Sequence, residues 1–184
     1  MIAAAARKEI NDMVAKWPPM PALDFATVAN DNSDDAVRAL NQRIDVNERD
    51  TQRWRSLTLA IVEFVEAIAV RVAEGNSDLS AHDMALAMAP ILQTIHTEMD
   101  TVDSFRGESV LGSMGRNIAT NGNLPSRETL ALLARRYEYL VAQRLAMLAE
   151  IKDRISAVIW DLDPDAHGGP AFANPDDLIS FLES

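Results

Sequence analysis

Two pairs of acids stand one helical turn apart, Glu63-x-x-Glu66 and Asp100-x-x-Asp103. Carboxylates so spaced on facing helices can share a Mg²⁺ ion through their oxygens. His82 is followed by Asp83, with Pro90 downstream, and His96 has Asp100 four residues on, a spacing that makes a local helix pair. Glycines 107, 112, 115 and 122 interrupt one stretch, but the lysine that a phosphate-cradling loop needs is missing there, so the stretch reads as a connection. None of the three histidines has an acid three residues before it. That excludes the Glu-x-x-His pairs of a di-iron bundle. There is no cysteine, which removes disulfides, thiolate catalysis and Cys-ligated metal sites.

The acid pairs faintly resemble those of the all-α NTP pyrophosphohydrolases. The resemblance implies Mg²⁺-dependent nucleotide hydrolysis by Glu63, Glu66, Asp100 and Asp103. Two features oppose it. Glu63 and Glu66 fall on the side of their helix opposite its apolar seam, and a chain turning back near residue 77 sets residue 88, not 100, against Glu66. The His82-Asp83 step weakly resembles the phospho-acceptor box of histidine kinases and their phosphotransfer relatives, where a Pro follows the His by about five positions. Here Pro90 is eight positions on, and Met84 to Ala89 lack the polar and basic residues of that box. His96 lacks the following Lys of monomeric phosphotransfer domains. The expectation is no catalytic residue, no metal and no cofactor, with the acids solvated or paired with arginine, His82 a cap-region residue and His167 exposed.

The 184 residues suit one domain, or one domain with a tail. At 48% hydrophobic residues a core can form, and with 5% aromatics Ala, Leu, Val and Ile must fill it. The formal charge is −11, which argues against general binding to nucleic acid or anionic membrane. From Asp161 to Ser184 there are six acids and no Lys or Arg, so Asp161, Asp163, Asp165, Asp176 and Asp177 read as an acidic surface. Residues 125–160 hold six bases and four acids, and Arg135 and Arg136 suit acidic groups of this chain or a partner. Arginines 38, 43, 49, 53 and 55 alternate with Asp45, Glu48 and Asp50, which reads as an ion-paired solvated face. Fourteen Arg against three Lys, with abundant Ala, points to a GC-rich bacterial genome. Neither a signal peptide nor a membrane span is convincing, so a cytoplasmic location is expected.

The elements that must position these residues read as helices. Residues 2–17 form a short helix stopped by Trp17-Pro18-Pro19-Met20-Pro21. Residues 22–32 read as a linker. Ser33 offers an N-cap to an uninterrupted run ending before Gly75. Its heptad seam has one row of Val37, Ile44, Thr51, Thr58, Val65 and Val72 and another of Leu40, Asn47, Trp54, Ile61 and Ile68. The seam is narrow up to about Asp50 and widens after Trp54 with Leu57, Phe64 and Ala69. The first half therefore projects and needs another helix, in this chain or a second one. Asn47 either fixes register or is a partly exposed site near a helix end. Ser80 caps a third helix carrying a Met84, Met88, Ile91, Ile95 stripe, kinked at Pro90. Val110 to Ile118 suggest a short helix. Pro125 and Ser126 open a long one to about Trp160, with Leu130, Leu133, Tyr137, Val141, Leu145, Leu148, Ile151, Ile155 and Ile159 as its apolar set. Asn174-Pro175-Asp176-Asp177 starts a last short helix.

Together these predict an all-α, antiparallel helical bundle of about four main helices, one or two of them very long, with short terminal helices. The expected divisions are 1–32, an N-terminal helix and linker; 33–160, the bundle; and 161–184, the acidic segment. The expected function is a non-enzymatic helical protein–protein interaction module: an adaptor, regulator or chaperone-like component. It would bind a protein partner or self-associate along the seam Val37, Leu40, Ile44, Asn47, Thr51 and Trp54, without direct nucleic-acid or membrane contact. The alternatives are an acidic inhibitor that mimics nucleic acid toward a basic protein, and an all-α Mg²⁺-dependent nucleotide hydrolase or histidine phosphotransfer protein.

Overall fold

The computed structural model describes residues 2–31, 33–75, 80–105 and 124–162. Every regular element among them is an α-helix: α1 (Ile2–Val14), α2 (Phe25–Asp31), α3 (Asp34–Ala73), α4 (Ala81–Asp103) and α5 (Leu124–Leu162). The bundle expected from the sequence is present, and α3, α4 and α5 are its long members. The possible helix at Val110 to Ile118, the segment opening at Asn174, and His167 lie outside the described residues.

The helix ends follow local chemistry. The hydroxyl of Ser33 accepts from the Ala36 N–H at 3.1 Å, and that of Ser80 accepts from the Asp83 N–H at 3.0 Å. The Ser80 hydroxyl also donates to the Asp83 carboxylate at 2.8 Å, which ties cap and first turn together. Helix α3 ends where Gly75 turns to φ 69°, a left-handed geometry that costs glycine little. Helix α4 runs through Pro90.

Residues 22–32 are not a linker throughout. Asp24 caps α2 by accepting from the Thr27 N–H at 2.9 Å and the Thr27 hydroxyl at 2.6 Å. The Thr27 hydroxyl, then its N–H, hold the Asp24 carboxyl below its usual range. Phe25 is buried, with its ring 5.8 Å from that of Tyr137. A short run rich in Asn and Asp thus becomes helical because one cap and one buried ring fix it, which composition alone does not reveal.

The chain divides into two compact units. Unit 1 comprises 1–17, 54–99 and 147–184; unit 2 comprises 18–53 and 100–146. Helices α3 and α5 each pass from unit 2 into unit 1, and α4 passes from unit 1 into unit 2. Helices α3 and α5 run parallel. The contacts agree within each unit. In unit 2, Arg136 meets Asn41, Asp45 and Glu48, and Arg144 meets Thr51. In unit 1, Arg154 meets Glu66, and Val70 and Ala73 lie beside Val158 and Leu162.

Unit 1 has an aliphatic and methionine core that includes Ile10, Ile61, Val65, Met84, Met88 and Ile155. Trp17 packs on Trp54 with ring centroids 5.6 Å apart. Each such buried side chain contributes about 1.5–3 kcal/mol by removal from water. That burial, more than helix propensity, sustains helices of this length. Unit 2 buries Met20, Leu23, Leu40, Ile44, Leu133 and Tyr137, together with Asn47, Thr51 and Arg144. No described helix is long and apolar enough to cross a membrane.

Candidate functional site

The half-seam expected to seek a partner is filled by its own chain. Leu40, Ile44, Asn47, Thr51 and Trp54 are at most 3% exposed, and Val37 is half-buried. The first half of α3 therefore does not project, and its docking surface is already occupied in cis. The widening after Trp54 is also narrower than the sequence implied, since Leu57, Phe64 and Ala69 are only half-buried and Leu59 is exposed. Asn47 is neither terminal nor partly exposed: it is 0% exposed, and its Oδ1 and Nδ2 have no hydrogen-bond partner among the described residues. It is a polar defect inside an apolar seam.

Arg144 is the buried group that the sequence did not announce. The α5 stripe was expected to use Leu145 at this turn. Instead Leu145 is half-buried and Arg144 is 0% exposed, between buried Val141 and Leu148. The spacing explains it, because 141, 144 and 148 continue the three-four alternation and 145 does not. The guanidinium donates to the Pro18 carbonyl at 2.8 Å and to the Thr51 hydroxyl at 3.3 Å. The proline-rich segment after α1 is thereby tied to both long helices of unit 2. Tyr137 adds a second tie, its hydroxyl donating to the Pro21 carbonyl at 2.7 Å. Burial pushes the Tyr137 phenol up to about 12, with smaller opposing effects from Arg144 and Arg43.

On the flank of the same pair, Arg136 is held by three acceptors. It donates to Asn41 Oδ1 at 2.9 Å, Asp45 Oδ1 at 2.8 Å and Glu48 Oε1 at 2.8 Å. The hydrogen bond to Asp45, then that to Glu48, raise its pKa further above the ordinary arginine range. Asp45 and Glu48 thus pair with arginine across helices, whereas Arg38 pairs locally with Asp35 at 3.2 Å.

Beside the clamp lies a shallow cleft of about 290 Å³ lined by Glu48, Arg49, Gln52, Tyr139, Leu140 and Gln143. Tyr139 is 64% exposed, and Leu132, seven residues earlier on the same face of α5, is 60% exposed. Arg135 lies between them and is exposed. Tyrosine and arginine on rigid helices are what interface centres use.

In unit 1 a second groove of about 250 Å³ is lined by Glu66, Ala69, Val70, Ala73, Val158, Asp161 and Leu162. Val70 is 56% exposed. Arg154 donates to both oxygens of Glu66, at 2.7 and 2.9 Å.

The residues considered for chemistry are placed as follows. Glu66 is engaged with Arg154, while Glu63 is exposed. Glu63 and Glu66 belong to unit 1, Asp100 and Asp103 to unit 2. Among the described residues, no three His, Cys, Asp or Glu side chains gather where they could hold a metal. His82 is exposed in the first turn of α4 and His96 is half-buried. Asp161 is exposed, and Asp163, Asp165, Asp176 and Asp177 lie outside the described residues. No protein-family model, no curated protein and no solved structure matches this chain.

Proposed function

We propose that this chain is a non-enzymatic helical interaction module that binds a protein partner through an exposed face of α5 in unit 2. One observation carries the reading: Leu132 and Tyr139, 60% and 64% exposed, stand in register on a helix that Arg136 and Arg144 lock to α3. A rigid aromatic and an aliphatic anchor flanked by Arg49 and Arg135 can be buried at small entropic cost. The seam Val37 to Trp54 serves this function indirectly, by fixing the platform rather than by docking.

The test is affinity capture of the tagged chain from nuclease-treated lysate of its own source at moderate salt, read by mass spectrometry. The wild type is compared with the Leu132→Glu/Tyr139→Glu double variant. Both positions are solvent-facing, so the fold is expected to persist, as circular dichroism checks. A partner retained by the wild type and lost by the variant supports the reading. Identical protein sets from both overturn it. A basic nucleic-acid-binding protein held only at low salt by both would instead favour the acidic-mimic alternative, for which the −11 charge is the support.

A further inference from the structure

The groove in unit 1 differs in chemistry from the unit 2 cleft. Its floor is apolar and shallow because small or short side chains, Ala69, Val70, Ala73 and Val158, line it above Leu162. At about 250 Å³ it lies below the usual size of a small-molecule pocket and suits the anchor side chains of a docked helix. Its rim is acidic. Glu66 and Asp161 line it directly. Glu63, one turn before Glu66, extends the same flank and is exposed. Arg154, the cation that reaches Glu66, is already held by it at 2.7 Å.

We propose that this groove docks a short amphipathic helix of a partner protein that carries small aliphatic anchors flanked by Lys or Arg. Charge complementarity selects this occupant. The chain's own C-terminal segment, 163–184, also has aliphatic and aromatic residues, at Leu178, Ile179, Phe181 and Leu182. It carries five acids and no Lys or Arg, the same sign as the rim, so like charge opposes it. The proposal rests on the reading of the chain as an interaction module and extends it to a second surface with a partner of opposite charge.

The test is fluorescence anisotropy with a labelled peptide of about 18 residues, leucines at helical spacing and lysines elsewhere, against a scrambled peptide of the same composition. Measurements run at about 0.15 M salt, where loose surface attraction is screened. The full-length wild type is expected to bind the amphipathic peptide at least about tenfold more tightly than the scrambled one. Ala73→Trp, which fills the groove without changing charge, and Val70→Lys are each expected to weaken binding about tenfold. Glu63→Gln/Asp161→Asn should weaken it and flatten its salt dependence, while Val46→Ala, at an exposed site on α3 in unit 2, leaves it unchanged. Equal affinity for the two peptides, or indifference to Ala73→Trp in a variant of unchanged circular dichroism, overturns the proposal. So does a tenfold gain in peptide affinity on Phe181→Ala/Leu182→Ala, which would make the chain's own segment the occupant. If the peptide fails here but Leu132→Glu/Tyr139→Glu still loses a captured partner, the groove assignment falls and the interaction reading stands. The reverse pattern moves the module's binding face to the groove.

Discussion

Helices α3 and α5 pair in both units, yet the two stretches are held by different physics. In unit 1 the buried faces are aliphatic: Ile61 and Val65 on α3, Ile151, Ile155 and Ile159 on α5. The buried Thr58 hydroxyl there is satisfied by its own helix through the Arg55 carbonyl at 2.8 Å. In unit 2 the same two helices bury Asn47, Thr51, Arg144 and Tyr137 among their apolar neighbours. Aliphatic contacts are non-directional and supply burial energy without naming a register. Hydrogen bonds such as Arg144 to Thr51 are satisfied in one arrangement only. Unit 1 thus contributes adhesion along the pair, while unit 2 specifies which turn of α3 meets which turn of α5. The position of the Leu132–Tyr139 face relative to Arg49 depends on the second.

The sharpest way to break this contrast is at Arg144. Arg144→Ala removes a long buried side chain and leaves the Pro18 carbonyl and Thr51 hydroxyl short of a donor. A loss of about 3–5 kcal/mol in urea unfolding is expected. Arg144→Met, which keeps the volume, should recover part of it. In unit 1, Ile155→Ala leaves only a cavity, and a loss of about 2–4 kcal/mol is expected. The contrast also predicts different symptoms: disordered tyrosine signals for Arg144→Ala, and intact ones for Ile155→Ala. A loss under about 1 kcal/mol for Arg144→Ala would remove the residue from any specifying role.

Asn47 sharpens the contrast in the opposite direction. Its amide is buried with neither polar atom bonded, which costs about 1–3 kcal/mol of desolvation. Asn47→Leu is therefore expected to stabilise the chain by about 1–2 kcal/mol, read as a higher urea midpoint. If the seam in unit 2 depends on this amide for register, the gain in midpoint comes with a broader, less cooperative transition. A destabilised Asn47→Leu would mean that the amide holds a buried water.

The periodic parts of this fold were legible before the structure. The caps at Ser33 and Ser80, the stop at Gly75 and most of the two seam rows follow from spacing and local chemistry, which act within a few residues. The misreadings have one common cause, which is that tertiary burial overrides local type. Residues 22–32 carry the Asn and Asp of a linker, but Phe25 finds the ring of Tyr137, and α2 forms. Arg144 was passed over for Leu145 because residue type outweighed the three-four spacing. The half-seam calls for a second helix, and sequence cannot show that α5 of the same chain supplies it. The grooves were not legible at all, since Val70 and Tyr139 matter through what does not cover them.

A smaller effect separates the two arginine clamps. Arg136 reaches three acceptors on α3, whereas Arg154 reaches one carboxylate. Both side chains are about one third exposed, at 31% and 38%, so solvent screens them. Arg136→Ala is expected to cost about 1–1.5 kcal/mol and Arg154→Ala about 0.5 kcal/mol. Double-mutant cycles of Arg136 with Asp45 and of Arg154 with Glu66 measure the pair terms directly. Both should shrink in about 1 M salt. A coupling for Arg154–Glu66 as large as that for Arg136–Asp45 would erase the asymmetry drawn between the units.

A similarly small effect at neutral pH, and the most specific to unit 2, concerns Tyr137. Tyr137→Phe removes only the hydroxyl that donates to the Pro21 carbonyl and should cost about 0.5–1 kcal/mol at pH 7. Its pH dependence is the more telling quantity. Burial favours the neutral phenol in the folded chain, raising its pKa from 10 to about 12. Below about pH 10 the phenol is neutral both folded and unfolded, and the stabilisation from this residue is complete. Between about pH 10 and 12 the unfolded chain loses the proton first, so stability falls as pH rises, and the decline ends above the folded pKa. The difference in unfolding free energy between wild type and Tyr137→Phe isolates this residue from the lysines that titrate in the same range. That difference should narrow, then reverse sign, across the window. A difference that stays constant from pH 9 to 12 would mean that the phenol ionises as freely in the folded chain as in the unfolded one, and that the tie between Pro21 and α5 opens in solution.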